Sequence, residues 1–147
     1  MKNISDYINE GDYAPYEKYV NMCVSKLEPL VSDRPKLKKL LQLVVKNYQS
    51  INHFMEPLID FVIEVEKEHK KGMKVTEEFG NLVEAIQDYA DYRFEVKGVY
   101  YLTLVDNDYK AVIHKNFPEI KNMQGYQTTY RLLEVMYDRL WDIYERS

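Results

Sequence analysis

The sequence predicts an all-α protein with four helices in an elongated, bundle-like arrangement. Apolar residues recur at steps of three and four along most of the 147 residues, which is the spacing of one helix face. The composition, 46% hydrophobic and 30% charged with five Gly and five Pro, is typical of ordered proteins rich in helix formers. No repeat or linker divides the chain. We therefore expect one helical domain over residues 1–147, with residues 1–11 loosely held.

The first helix is predicted over about residues 14–31. Asp12 can cap its start, and Pro15 suits the first turn, where a missing N–H costs nothing. Its apolar face comprises Tyr16, Tyr19, Cys23, Leu27 and Leu30. Cys23 is the only cysteine, which excludes an internal disulfide and a cysteine-based zinc site.

The second helix is predicted over about residues 34–71. From Leu37 to Val65 the apolar positions alternate steps of four and three without a slip, as expected of helices packed at shallow angles. Pro57 lies inside this run and should kink the helix. The alternative is two helices with a break near "SINHF", residues 50–54. Gly72 should end the element.

The third helix is predicted over about residues 76–114, with Thr76 as its cap. The apolar spacing continues through the segment "VYYLTLV", although its β-branched and aromatic residues also favour strands. The alternative is therefore an α+β fold with a β-hairpin around residues 94–114. We favour the helix because an isolated two-stranded hairpin is marginally stable.

The fourth helix is predicted over about residues 117–146, with Asn116 as cap and Pro118 in the first turn. One arc of this helix is apolar: Leu132, Leu133, Met136, Leu140 and Ile143. The adjoining arc is aromatic: Tyr130, Tyr137, Trp141 and Tyr144.

Charge and hydropathy narrow the classes of function. With 20 basic and 24 acidic residues the net charge is −4, which argues against a strong nucleic-acid binder. The N-terminus has no signal-peptide pattern, and no apolar run reaches the roughly 18 residues of a membrane span. We expect a cytoplasmic protein without membrane contact.

The sequence carries no catalytic or cofactor motif, so we expect no cofactor and favour a non-enzymatic role. One Glu-x-x-His is present, at Glu66 and His69. Di-iron bundles use two such motifs and two further glutamates, and the other histidines lack the partner Glu. The sequence thus predicts no metal site, and a helical-bundle metalloprotein centred on Glu66 and His69 remains an alternative.

Two basic clusters, residues 34–39 and 67–74, are predicted to fall at opposite ends of the second helix. Separated patches do not form one nucleic-acid track. A nucleic-acid-binding accessory protein is therefore the second alternative.

The function that the sequence favours is binding to another protein. The chain has 14 tyrosines, more than four helices can bury, and exposed Tyr and Trp are typical of contact sites. A stripe of carboxylates on the third helix offers a face for a basic partner: Glu84, Asp88, Asp91 and Glu95. We predict a small inhibitor, immunity-type protein or accessory subunit that uses this stripe and the aromatic arc. A homodimer through the aromatic arc is compatible with the same pattern.

Overall fold

A computed structural model describes residues 14–50, 52–94, 107–122 and 126–146. Within these ranges the chain forms six α-helices, one short 3₁₀ helix and no strand, so the all-α prediction is confirmed. The elements are α1 (Ala14–Val31), α2 (Pro35–Asn47), α3 (Met55–Lys70), α4 (Glu77–Phe94), α5 (Asn107–Asn116), the 3₁₀ helix (Pro118–Ile120) and α6 (Tyr126–Arg146). Among these, no helix combines the length and apolarity that a membrane span requires.

The predicted single helix over residues 34–71 is wrong, and the alternative of two helices is confirmed. The chain leaves helical conformation after Asn47 and re-enters it at Met55. Pro57 lies in the first turn of α3, where its missing N–H has no intrahelical partner to lose. It therefore neither kinks nor breaks a helix. The break precedes it.

The reversal between α2 and α3 makes them antiparallel neighbours. Arg34, at the start of α2, forms an ion pair with Glu68, near the end of α3. One turn further on, Lys36 Nζ lies 3.6 Å from Glu64 Oε2. The two basic clusters, predicted at opposite ends of one helix, consequently lie at the same end of this helical hairpin.

Gly72 ends α3 as predicted. Its φ of 102° lies in the left-handed region, which only glycine adopts without strain. The Gly72 N–H donates to the His69 carbonyl at 2.9 Å, and the Met73 N–H donates to the Glu68 carbonyl at 3.0 Å. These two bonds close the last turn of the helix.

The alternative β-hairpin over residues 94–114 is wrong, because residues 107–114 lie in α5. Residues 95–106, which the predicted helix over residues 76–114 would also include, lie outside the described residues.

Thr76 precedes α4, but its predicted capping bond is missing. Its buried Oγ1 makes no hydrogen bond, and the turn is closed instead by the Phe79 N–H and the Thr76 carbonyl at 3.3 Å.

The predicted helix over residues 117–146 is also divided. Asn116 does not cap it: its Nδ2 donates to the Val112 carbonyl at 2.8 Å, within α5. Phe117 immediately precedes the 3₁₀ helix, and Ile120 is its last residue. Both side chains are fully buried. Burying these two side chains holds the chain in a tight turn between α5 and α6.

Helix α4 lies between α1 and α6. It runs antiparallel to α1: the rings of Tyr16 and Tyr92 stack with centroids 4.9 Å apart, and Lys26 Nζ lies 3.9 Å from a Glu78 carboxylate oxygen at the opposite end. The start of each helix therefore lies beside the end of the other.

Helix α4 is antiparallel to α6 as well. The Tyr130 hydroxyl near the start of α6 reaches Asp91 near the end of α4 at 3.0 Å. Gly80 near the start of α4 faces the ring of Tyr137, which lies in the second half of α6. A Cβ at Gly80 would meet the Tyr137 ring at 3.7 Å, an ordinary contact distance, so the packing of the two helices here does not require glycine.

Aromatic contacts join the α2–α3 hairpin to α4. Phe61 and Phe79 stack with centroids 6.1 Å apart, and both are fully buried. Tyr48 meets Tyr89 edge to face at 5.0 Å. Burial and this geometry together stabilise the junction, since such aromatic pairs contribute about 0.5–1.5 kcal/mol beyond their buried area.

Candidate partner-binding surface

The carboxylate stripe of α4 and the aromatic arc of α6 lie side by side. The Tyr130 hydroxyl donates to Asp91 Oδ1 at 3.0 Å, and Tyr137 lies near Glu84, where burial and the Glu84 charge raise the pKa of the Tyr137 phenol. We call the combined region the acidic–aromatic surface. It comprises Tyr19, Glu84, Asp88, Asp91, Tyr130, Tyr137, Trp141 and Tyr144. Glu95, the last member of the predicted stripe, lies outside the described residues.

Three aromatic rings form a continuous row at one end of this surface. Tyr137 stacks on Trp141 with centroids 5.9 Å apart and an interplanar angle of 14°, and Trp141 meets Tyr144 at 5.3 Å. The Trp141 Nε1–H donates to Glu145 at 2.8 Å. All three rings remain partly exposed. Mutual packing fixes their orientation and leaves one side available for contact.

Tyr19 brings α1 to the edge of the same surface. Partial burial raises the pKa of Tyr19, and the nearby Cys23, Glu84, Tyr137 and Asp88 raise it further. The sequence placed Tyr19 in the core face of α1, and the side chain is instead half-buried. Only its position at the margin of the apolar stripe signals this.

The second tyrosine cluster divides between core and surface. Tyr89 is fully buried, and Arg93 donates to its hydroxyl while lying 5.7 Å from the ring centroid. Tyr92 is partly exposed and stacks on Tyr16. Tyr100 and Tyr101 lie outside the described residues.

Asp88 is the electrostatic centre of the surface. It is exposed and lies between Glu84 and Asp91 on one face of α4. Partial burial raises the pKa of the Asp88 carboxyl, and the charges of Glu84 and Asp91 raise it further. Among the described residues Asp88 has no ion pair with a cation. Arg93, the closest basic residue in sequence, is directed to Tyr89.

Glu66 and His69 are each engaged with the protein. Glu66 Oε1 lies 3.4 Å from Arg139 Nη1. His69 Nδ1 lies 3.1 Å from the Met73 carbonyl oxygen. Since a carbonyl oxygen can only accept a hydrogen bond, the Nδ1 atom carries the proton in this contact. In the described part of the chain no three His, Cys, Asp or Glu side chains converge as metal ligands.

Burial, the largest cause, raises the pKa of Cys23 to about 11, so its thiol stays protonated near neutral pH.

No known protein family, curated protein or solved structure matches this chain.

Proposed function

We propose that this chain is a small non-enzymatic protein that binds another protein through its acidic–aromatic surface, in the manner of an inhibitor, an immunity-type protein or an accessory subunit. The partner presents lysine or arginine side chains to the α4 carboxylates. The observation that carries the proposal is Asp88, an exposed carboxylate between two others that forms no ion pair with any cation of the described residues.

The carboxylate stripe is unfavourable for the isolated protein. Like charges three and four residues apart on a helix repel one another, and the raised pKa of Asp88 records that repulsion together with partial burial. A cationic side chain of a partner would remove the repulsion on binding. Complementary charge of this kind increases the rate of association and excludes wrong partners.

The aromatic row supplies the apolar contact that charges alone do not. Tyr and Trp are enriched among the residues that dominate binding energy, because they offer a large contact area at low conformational cost. The row lies next to the carboxylates, so one partner surface can use both.

The same charge pattern disfavours a homodimer through this surface. A two-fold axis that passes through the carboxylate stripe would bring the stripes of both copies close to each other, and like charges facing one another across an interface are costly. We therefore assign the surface to a different, basic protein.

The test is crosslinking in the native host, followed by binding measurements with the purified partner. Asp88→Lys and Trp141→Ala should each reduce affinity about tenfold or more, which is the effect of removing a central contact. Glu28→Lys is the matched control, since Glu28 is also exposed and lies on α1 outside the surface. Far-UV circular dichroism verifies folding. Folded Asp88→Lys and Trp141→Ala proteins that bind every captured partner as the wild type does would refute the proposal.

A further inference from the structure

A second site lies on the other side of the molecule, where α2, α3 and α5 enclose a groove of about 550 Å³. Tyr109 holds α5 to α3, because its hydroxyl contacts the Glu56 carbonyl at 3.0 Å and donates to Asp60. Asp60 itself also lines the groove. Its size is within the range of small-molecule sites, roughly 300–1,000 Å³.

Three lysines surround the groove: Lys36, Lys67 and Lys115. They belong to three different helices. The reversal between α2 and α3 brings the two basic clusters to one end of the hairpin, and α5 adds the third lysine. Lys67 and Lys115 are exposed and form no ion pair within the described residues. The groove therefore offers two cations to an anionic ligand.

The groove also contains a buried carboxylate. Glu64 is 5% exposed, and its Oε2 accepts no hydrogen bond. Lys36 Nζ lies 3.6 Å away, which is beyond hydrogen-bond distance, on a side chain that is 70% exposed. Glu64 Oε2 thus has an ion pair with Lys36 but no hydrogen bond, and a buried acceptor without a hydrogen bond costs free energy. Because this oxygen is itself buried, a ligand donor reaches it only after a neighbouring side chain moves, and Lys36, 3.6 Å away and 70% exposed, can turn outward toward an anion.

The walls between these charges are apolar. Leu40, Ile63 and Val112 line the groove, and Val112 is 40% exposed, a large fraction for its side chain. A ligand that fits must combine three features: a flat or apolar body, a hydrogen-bond donor for Glu64, and a negative group for Lys67 and Lys115. Amino-bearing nucleobases with a phosphate have all three.

We propose that this groove binds a nucleoside phosphate, free or as the terminal nucleotide of a strand, through a base amine that donates to Glu64 Oε2 and a phosphate held by Lys67 and Lys115. The inference is independent of the protein-binding proposal, because it uses none of the same residues. A carboxylate accepts a hydrogen bond from an exocyclic amine such as cytosine N4.

Cytidine and uridine monophosphate form a matched pair of probes, since the exocyclic 4-amine of cytosine is replaced in uracil by a carbonyl, with a proton on the adjoining N3. In an NMR titration of the full chain, cytidine monophosphate should shift amide signals of α2, α3 and α5, and uridine monophosphate should bind about tenfold more weakly. Glu64→Gln should reduce this preference, because a glutamine amide can donate to the uracil carbonyl.

Two exposed charge reversals separate the groove from general charge effects. Lys67→Glu and Lys115→Glu should each weaken cytidine monophosphate binding about tenfold, whereas Lys18→Glu, equally exposed on α1, should not. A short single strand with a 5′-terminal phosphocytidine, compared with the free nucleotide, identifies the source of the ligand.

Three outcomes would overturn the inference. They are no signal shifts at millimolar nucleotide, binding that Lys67→Glu and Lys115→Glu leave unchanged, and inorganic phosphate that binds as tightly as cytidine monophosphate. The last would mean an adventitious anion site only. Because Lys67 and Lys115 are exposed, their variants keep the test valid even where Glu64→Gln does not fold.

Discussion

Arg139→Ala should be among the most destabilising single changes on the surface of this protein. Its Nη2 donates to both oxygens of Glu119 at 2.7 and 2.9 Å, and its Nη1 donates to the Asn116 carbonyl at 2.9 Å. The guanidinium lies 4.6 Å from the ring centroid of buried Phe117, and Glu66 approaches at 3.4 Å. One side chain thus ties α6 to α3, to the end of α5 and to the 3₁₀ helix.

The magnitude follows from these contacts. A hydrogen bond to a charged group contributes about 1.5–3 kcal/mol, and contributions fall toward about 0.5 kcal/mol where solvent screens them. The Arg139 side chain is 26% exposed, between these limits. Counting the Asn116 and Glu119 bonds and the Phe117 contact, we expect a loss of about 2–3 kcal/mol.

Arg131→Ala is the matched control on the same helix. Arg131 pairs with Glu134 three residues later, and the two side chains are 40% and 60% exposed. Such a pair contributes about 0.3–0.5 kcal/mol. Urea denaturation followed by far-UV circular dichroism at pH 7 measures both variants. If Arg139→Ala costs no more than Arg131→Ala, the contacts do not stabilise the fold and our reasoning fails.

The same comparison has a pH dependence. Burial alone would raise the pKa of Glu119, but hydrogen bonds from Arg139 and from its own backbone, with the charges of Arg139 and Arg131, hold it below its usual value. A lowered carboxyl pKa contributes stability above the unfolded pKa, about 4.3 for Glu, and loses it as pH falls through the folded value. The difference between wild type and Arg139→Ala should therefore be largest near neutral pH and shrink in acid.

Three further predictions use single side chains. Gly80→Ala should stabilise by about 0.5–1 kcal/mol, because the added Cβ meets Tyr137 at an ordinary 3.7 Å, whereas Gly72→Ala at positive φ should destabilise by about 1–2 kcal/mol; thermal denaturation measures both. Cys23 should react with a thiol reagent at pH 8 only after unfolding, since it is buried with a pKa of about 11; rapid native-state modification would contradict this. Asp88→Asn should stabilise the protein near neutral pH and lose that gain in acid, because a raised carboxyl pKa favours folding only while the group is protonated; an unchanged urea midpoint at pH 7 would contradict this.

The faces of the helices could be predicted from the sequence, whereas the pattern left open whether residues 34–71 form one kinked helix or two helices with a break near residues 50–54. The apolar positions from Leu37 to Val65 keep an unbroken spacing of three and four residues because α2 and α3 each bury one apolar face in the same core. A repeat of three and four residues records which side of a helix is buried, but not the direction in which the next helix runs. The interruption after Asn47 therefore left no irregularity in the pattern. Pro57, the visible irregularity, is accommodated in a first turn.

The same limit applies to the sites. Each stripe of the acidic–aromatic surface could be read from the spacing within one helix, but their adjacency depends on α4 and α6 running antiparallel, which places Tyr130 beside Asp91. The basic clusters show the limit more sharply: the predicted single helix over residues 34–71 separates them, and the observed reversal brings them together beside Glu64. Functional residues from one helix are thus readable in the sequence, whereas a site assembled from several helices depends on pair directions. This is why the groove of α2, α3 and α5 emerges only from the fold.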